Sequence, residues 1–442
     1  MMKINKSNSD SVNWYLNNFK AFESGLNGGA TAAVHQTRKN AIEKFAELGF
    51  PTRKNESWRY TDVTPILKKE FTLASDAHAL SAHDVQSHKF ARTIQNTMVF
   101  INGVFSQPLS TLTLRQEGVR ISNLAIAFKE NAELVERYLG KYAVFADEPF
   151  TALNTGFLND GIFIHVAANV AVAEPIHVIH IGAPASEKIN ACPRALVALE
   201  KGAEATLIES FHGVDDAVYF NNVVGEYIIH ENAHFKYLKI QEESRSAYHV
   251  SNYKFHQERD SVVSAVNVDF GGALVRNNLN VLLNGPNCET HLFGLFVGGG
   301  SQHIDNQTFV DHAMPNCFSN ELYKGILNNH AQGVFNGKIL VRQDAQKTNA
   351  LQSNKTLLLA DDASVNAKPQ LEIFADDVKC THGATIGQLD DEALFYLRAR
   401  GIGEEMAKAM LRHAFVADIL EKVSIDEVRE HLDAKVMACF KK

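Results

Sequence analysis

The sequence predicts a mainly β chain with helices at both ends, its long middle wound as a solenoid or β-helix. Three observations lead there. From about Phe150 to Ile386, short runs of β-branched and aromatic residues recur roughly every eight to twelve residues, separated by Gly, Asn, Asp and Pro. No convincing helical pattern interrupts them. On both sides the apolar spacing changes to the helical period. Such punctuation suits a sandwich, a barrel or a solenoid, and the number of strands favours a solenoid, whose coils bury one continuous core. No strict repeat period is visible.

At 442 residues the chain exceeds one ordinary core; at roughly 150 residues per domain it holds two or three units, or one elongated unit with additions. We divide it into an N-terminal helical and α+β part (1–149), a β-helix core (150–388) and a C-terminal helical part (389–442). The formal charge of −8 and the lack of a Lys/Arg-rich run argue against nucleic acid or an anionic membrane as the main partner. No stretch approaches the roughly 20 apolar residues of a membrane span, and the start, Met1 to Asp10, has no apolar segment of a signal peptide. The expected location is the cytoplasm. Five cysteines (Cys192, Cys288, Cys317, Cys380, Cys439) are odd in number and form no Cys-x-x-Cys pair, so neither a disulfide framework nor a zinc ribbon is encoded, and a reducing compartment fits best.

Taken in order, Ser11 to Gly28 places Trp14, Leu16, Phe19 and Phe22 at near-helical spacing and ends on glycines that suit a C-cap. A second helix from about Ala32 to Leu48 carries Ala41, Ile42, Phe45 and Leu48, and stops at Gly49-Phe50-Pro51. A polar loop follows to Asp62, anchored by Trp58 and Tyr60. Residues 63–145 mix short apolar runs, a hairpin at Asn102-Gly103 and a helix from about Asn131 to Tyr138. The strand runs come next. Beyond them, Asp390 and Asp391 cap a helix through Leu394, Phe395, Leu397 and Ala399, and Gly401-Ile402-Gly403 breaks it. Glu404 and Glu405 start another helix, with Met406, Met410, Ala417 and Leu420 along one face and Leu411, Phe415 and Ile419 beside it. Ser424-Ile-Asp-Glu427 is a capping-box pattern opening a last helix to about Phe440. These helices either cap an open sheet edge or dock a partner.

The chemistry-bearing stretch is Ile373 to Ile386. Val378, Cys380 and His382 alternate with Lys379 and Thr381, so on a strand the thiol and the imidazole leave from one face and can share a soft metal ion. Ordinary strand packing accounts for the same pair. His230-Glu231-Asn232-Ala233-His234 satisfies the zinc-protease pattern, whose chemistry needs a helix; its flanks alternate with period two, so it reads as a turn between strands. Gly333 to Ile339 is one residue short of a phosphate-binding loop and has Ile where Ser or Thr must hold magnesium, and no Gly-x-Ser-x-Gly elbow is present. His303, Asp305, Asp311 and His312 read first as residues hydrogen-bonding turn backbones, and second as metal candidates.

The segment Gly49 to Thr61, the run Gln346 to Leu359, Pro369 to Ile373, the stretch through Thr385, and Leu394 to Ile402 together resemble, in order along the chain, the SufB/SufD family of iron–sulfur cluster assembly scaffolds. Cys380 to Thr385 and the Trp58-Arg59-Tyr60-Thr61 segment look like its SufD type. The resemblance implies a right-handed parallel β-helix flanked by helical domains, acting as a non-catalytic scaffold subunit of a SufBCD complex. It implies SufB as a partner through the β-helix ends, the ABC-type ATPase SufC as a partner at the C-terminal helices, and a homodimer as the state open to the isolated chain. Cys380 and His382 fall on the family's functional pair, where iron or a nascent cluster is held at the SufB interface. Phe395, Tyr396, Arg398, Arg400, Gly401, Ile402 and Gly403 fall in the SufC-docking region. The implied cofactor is a transient iron–sulfur cluster shared with SufB, with reduced flavin a candidate in the assembled complex and none expected in the isolated chain. The remaining cysteines read as buried thiols. Two competing readings are a zinc hydrolase built on His230 and Glu231, and a pure interaction protein in which Cys380 and His382 only pack.

Overall fold

The structure is a computed structural model describing residues 6–26, 32–74, 80–90, 92–184, 188–214 and 216–439. From Ile162–Val166 to Lys379–Gly387, strands alternate between two sheets, and neighbours within a sheet run parallel. This is a parallel β-solenoid of about seven turns with helices at both ends, the expected fold class. The sheets enclose one core in which Tyr227, Tyr237, Phe255, Leu292, Val310 and Ile339 meet. At the start, Asn96–Ile101 turns back into Val104–Phe105 through Asn102 and Gly103, both at positive φ (54° and 83°), as a tight two-residue hairpin requires. Asn96–Ile101 also pairs in parallel with Ile176–Gly182, so the N-terminal part extends a solenoid sheet.

His234 pairs with Val262, Val262 with Glu289, Glu289 with Phe318, Phe318 with Asn349, and Asn349 with Lys379, so successive coils take 28, 27, 29, 31 and 30 residues. That drift hides the repeat in the sequence. A corner does repeat: Asn232, Asp260, Asn287, Asn316 and Lys347 all sit at φ of 57–60°. The N–H of Asn232 donates to Arg259 O (2.9 Å), that of Asp260 to Pro286 O (3.0 Å), and that of Asn287 to Pro315 O (3.1 Å). Asn and Asp tolerate this left-handed conformation better than other side chains, which is why they punctuate the chain.

The strands are longer than the apolar runs that mark them, because the coil interior is partly polar. Lys239 Nζ donates to Asp269 (3.4 Å), while Asn277 Nδ2 donates to Asp269 (2.8 Å) and Asn306 (3.0 Å), all buried. Partners for nearly all of these polar atoms make their burial tolerable; Asn306 Nδ2 has none among the described residues.

At the N-terminus, Lys6–Gly25, Ala32–Leu48 and Pro149–Gly156 build an aromatic cluster of Tyr15, Phe19, Phe45, Phe50, Trp58 and Phe150 that reaches Phe220 and Tyr248 on the solenoid. Gly49, at φ 63°, ends the second helix as expected; Gly28, at the predicted end of the first, lies outside the described residues. Pro149–Gly156 corrects the expectation of strands from Phe150 onward. Every residue from Phe150 to Gly156 is buried, so no polar face reveals a helical period.

At the C-terminus, Glu404–Leu420 and Asp426–Ala438 lie on the outer face of one sheet, where Val416, Ile419, Leu420 and Leu432 pack on Ile240, Val266, Phe293 and Ile326. Met406 and Met410, expected in the apolar stripe, are exposed; the buried side is Ala407, Val416, Ile419 and Leu420. The capping box at Ser424 does not form. The N-cap is Ile425, and Glu427 instead accepts from the N–H and hydroxyl of Thr93 (3.0 and 2.7 Å), fastening the helix to the body. The predicted end of this helix at Phe440 lies outside the described residues. Among those residues no helix is long and apolar enough to cross a membrane.

Candidate functional site

The solenoid ends in an open coil. Among the described residues, Ser364–Ile373 pairs only with Gln332–Val341, and Lys379–Gly387 only with Asn349–Leu358, so both sheets end on an unpaired edge. Within this coil Cys380 is the register partner of Ala350 and His382 of Gln352, both buried. The thiol and the imidazole therefore share the inward face of the last strand, at the mouth of the lumen. Cys380 is half-buried, packs against the main core and has its thiol pushed up by burial, while His382 is exposed. Ile373, Phe374 and Ile386 are exposed around them. An unpaired double edge with apolar side chains is a surface that proteins ordinarily cover.

A thiolate and a neutral imidazole suit iron in an iron–sulfur environment. Among the described residues no third His, Cys, Asp or Glu joins the pair. Two donors are fewer than the ligands an iron–sulfur cluster takes, so a cluster held here would need donors beyond this pair.

The second surface lies beyond the last strand. Asp390 caps the helix Asp391–Ala399 by accepting from the N–H groups of Glu392 (2.9 Å) and Ala393 (3.1 Å). This helix buries none of its residues: Phe395 is 74% exposed and Tyr396 55%. The Arg400 guanidinium sits 4.5 Å from the centre of the Tyr396 ring, and Arg398 pairs with Glu404 (3.3 Å) across the break at Gly401 (φ 86°), Ile402 and Gly403.

Other sequence candidates are not assembled into sites. His230 and His234 flank a coil corner whose Asn232 is left-handed, so they lack the helical spacing a zinc protease needs. Glu231 instead pairs with Arg259 (2.5 Å) and Lys201 (3.0 Å), and His230 with Glu258 (3.0 Å). His303 and Asp305 stand on a strand and bond side chains, correcting the turn-backbone expectation. Thr61 Oγ1 lies 2.9 Å from His303 Nε2, and Asp305 takes the guanidinium of Arg276, whose plane covers Trp58 at 3.8 Å. Asp311 pairs with Arg342 (2.7 Å), and His312, pushed down to about 4 by burial, meets Ser319 (2.9 Å). Of the four cysteines expected to be buried, Cys288 and Cys317 are; Cys192 and Cys439 are half-buried. The Trp58–Arg276–Asp305 clamp was missed because its members lie far apart in the chain, with only the two loop aromatics as a signal.

The model of the SufBD core domain of the SUF system for iron–sulfur cluster assembly matches residues 182–415, and that of the SufBD N-terminal region matches residues 9–178. The chain belongs to the SufBD family. The iron–sulfur cluster assembly protein SufD of Escherichia coli is 31% identical over 398 residues, 89% of this chain and 90% of that one. A SufBD family protein of Synechocystis is 30% identical over 92% of this chain and 91% of its own length, and SufD of Bacillus subtilis 27% over 91% and 92%. A role in iron–sulfur cluster assembly follows for this SufBD protein. Both surfaces described above fall in or beside the part matched by the core-domain model.

Proposed function

We propose that this chain is the SufD-type scaffold subunit of a SufBCD-like complex, with the open coil pairing with a SufB-like partner and Cys380 and His382 holding iron or nascent cluster between the two. The single observation that carries this reading is a two-donor face at the mouth of a solenoid whose edges are both unpaired. A partner adding its own strands and donors would satisfy the edge and the iron together. Loading needs the Cys380 thiolate, and burial raises the thiol, so metal uptake releases a proton. Phe395, Tyr396, Arg398, Arg400 and the Gly401-Ile402-Gly403 hinge dock an ABC-type ATPase of the SufC kind. Closure of two such ATPases would pull on the helical ends and open the SufB–SufD contact for iron and sulfur. The exposed aromatic face of Asp391–Ala399 supports this assignment.

The test is affinity purification of the tagged chain from its own cells, full-length and truncated after Gln388, with retained proteins identified by mass spectrometry. The expected result is a SufB-like protein and an ABC-type ATPase with the full chain, and on truncation a fall in the ratio of ATPase to SufB-like protein. An unchanged ratio of ATPase to SufB-like protein after truncation would overturn the docking assignment, and absence of any SufB-like protein would overturn the pairing.

A further inference from the structure

One inside corner of the solenoid is lined by a column of small residues, one per coil: Ala203, Ala233, Ser261, Cys288, Cys317 and Thr348. The carbonyl of each accepts from the following coil: Ser261 O from Glu289 N (2.9 Å), Cys288 O from Phe318 N (2.9 Å), and Cys317 O from Asn349 N (3.0 Å). Cys288 and Cys317 are therefore direct neighbours in adjacent coils. Parallel strands stand about 4.8 Å apart, within the roughly 4.4–6.8 Å between Cα atoms that a disulfide spans. Their sulfurs converge on one atom, the Gly285 carbonyl oxygen, at 3.1 Å from Cys288 Sγ and 3.3 Å from Cys317 Sγ.

Ser261 Oγ donates to Cys288 Sγ (3.8 Å), a contact that favours the thiolate there. Cys288 is thereby the readier nucleophile, and Cys317 beside it the resolving group. Packing alone does not call for sulfur here, because Ala, Ser and Thr fill the same corner in other coils. Both side chains are buried, and Asn284, Asn287 and Asn316, which precede them in the chain, are exposed.

We propose that Cys288 and Cys317 form a modification site at which a hydroperoxide converts two thiols into a disulfide stapling adjacent coils. Cys288 sulfur attacks the terminal peroxide oxygen, the O–O bond breaks, and the leaving alkoxide takes the thiol proton, giving a sulfenic acid and an alcohol (water, for hydrogen peroxide). Cys317 sulfur then attacks the sulfenic sulfur, the S–O bond breaks, and hydroxide leaves with the Cys317 proton as water. The thiols lose two electrons in total and the hydroperoxide gains them. Cys380, two coils beyond Cys317, takes no part.

The test exposes the folded full-length chain to hydrogen peroxide, alkylates the remaining thiols and cleaves after glutamate, which separates the two cysteines at Glu289. The expected product is a Cys288–Cys317 cross-linked peptide, lighter by two hydrogens than its reduced parts and released by a dithiol, together with a higher melting temperature of the oxidised chain. Cys317→Ser, a change the Ser261 coil already accommodates, should abolish the cross-link and the rise in melting temperature and leave Cys288 as a sulfenic acid trapped by dimedone. Persistence of both thiols after Cys380 has been oxidised, or oxidation of Cys288 to the sulfinic acid without cross-linking, would overturn the proposal.

Discussion

Glu321 faces the lumen one coil before Gln352 and two before His382. It is fully buried, and loss of hydration pushes its carboxyl up to about 7, against hydrogen bonds from Thr308 Oγ1 (2.6 Å) and Gln352 Nε2 (3.3 Å) that favour the charged form. Tyr323, on the same inward face, is raised by its own burial and by the Glu321 charge. Because the folded value lies above the ordinary 4.5, the folded chain holds this proton more tightly than the unfolded chain. The resulting stabilisation is complete below about pH 4.5 and is lost as the pH rises to about 7. A rise from 4.5 to about 7, at about 1.36 kcal/mol per pH unit, corresponds to about 3 kcal/mol. Glu321→Gln keeps the shape and an acceptor for Thr308, removes the charge, and offers an N–H to Gln352 Oε1, which has no partner among the described residues. Urea unfolding followed by tryptophan fluorescence should show wild type and variant equally stable near pH 4.5, and the variant ahead by up to about 3 kcal/mol near pH 8. A difference that stays constant across that range would refute a buried, titrating Glu321.

Arg276→Met leaves Asp305 buried without its charge partner and removes the cover from Trp58, so it should cost roughly 3–5 kcal/mol in the same assay; a cost under about 1 kcal/mol would mean that the clamp does not hold the loop. Phe395→Asp with Tyr396→Ala should lower the ratio of captured ATPase to SufB-like protein without lowering the melting temperature, because neither side chain is buried; a loss of melting temperature would assign them to packing. Glu231→Gln should leave zinc content and iron–sulfur assembly unchanged, since Glu231 only pairs with Arg259 and Lys201 at the surface; loss of stoichiometric zinc would revive the hydrolase reading.

Much of the fold is legible in the sequence because the features that set it are local. Apolar runs mark parts of the strands, Asn and Asp mark left-handed corners, and Gly49 and Gly401 end helices through their backbone freedom. The repeat is not legible, since coils of 27 to 31 residues drift in phase. The buried polar positions of strands, such as Asn277 and Asn306, read as turn residues until their partners across the lumen are known. Pro149–Gly156 is hidden by complete burial, and Ser424 misleads because Glu427 finds a better partner in Thr93. For the site, alternation is enough to put Cys380 and His382 on one face. Their position at an uncovered end depends on where the solenoid stops pairing, which no local pattern encodes.

The most direct measurement is the iron and acid-labile sulfide content, with the Mössbauer spectrum, of the complex co-purified with the full-length chain, compared with complexes carrying Cys380→Ser and His382→Ala. Both variants should retain the SufB-like partner and the ATPase while losing most of the bound iron, with the residual signal changed in its ligand environment. Undiminished iron and an unchanged spectrum in both would contradict the assignment of this pair as ligands.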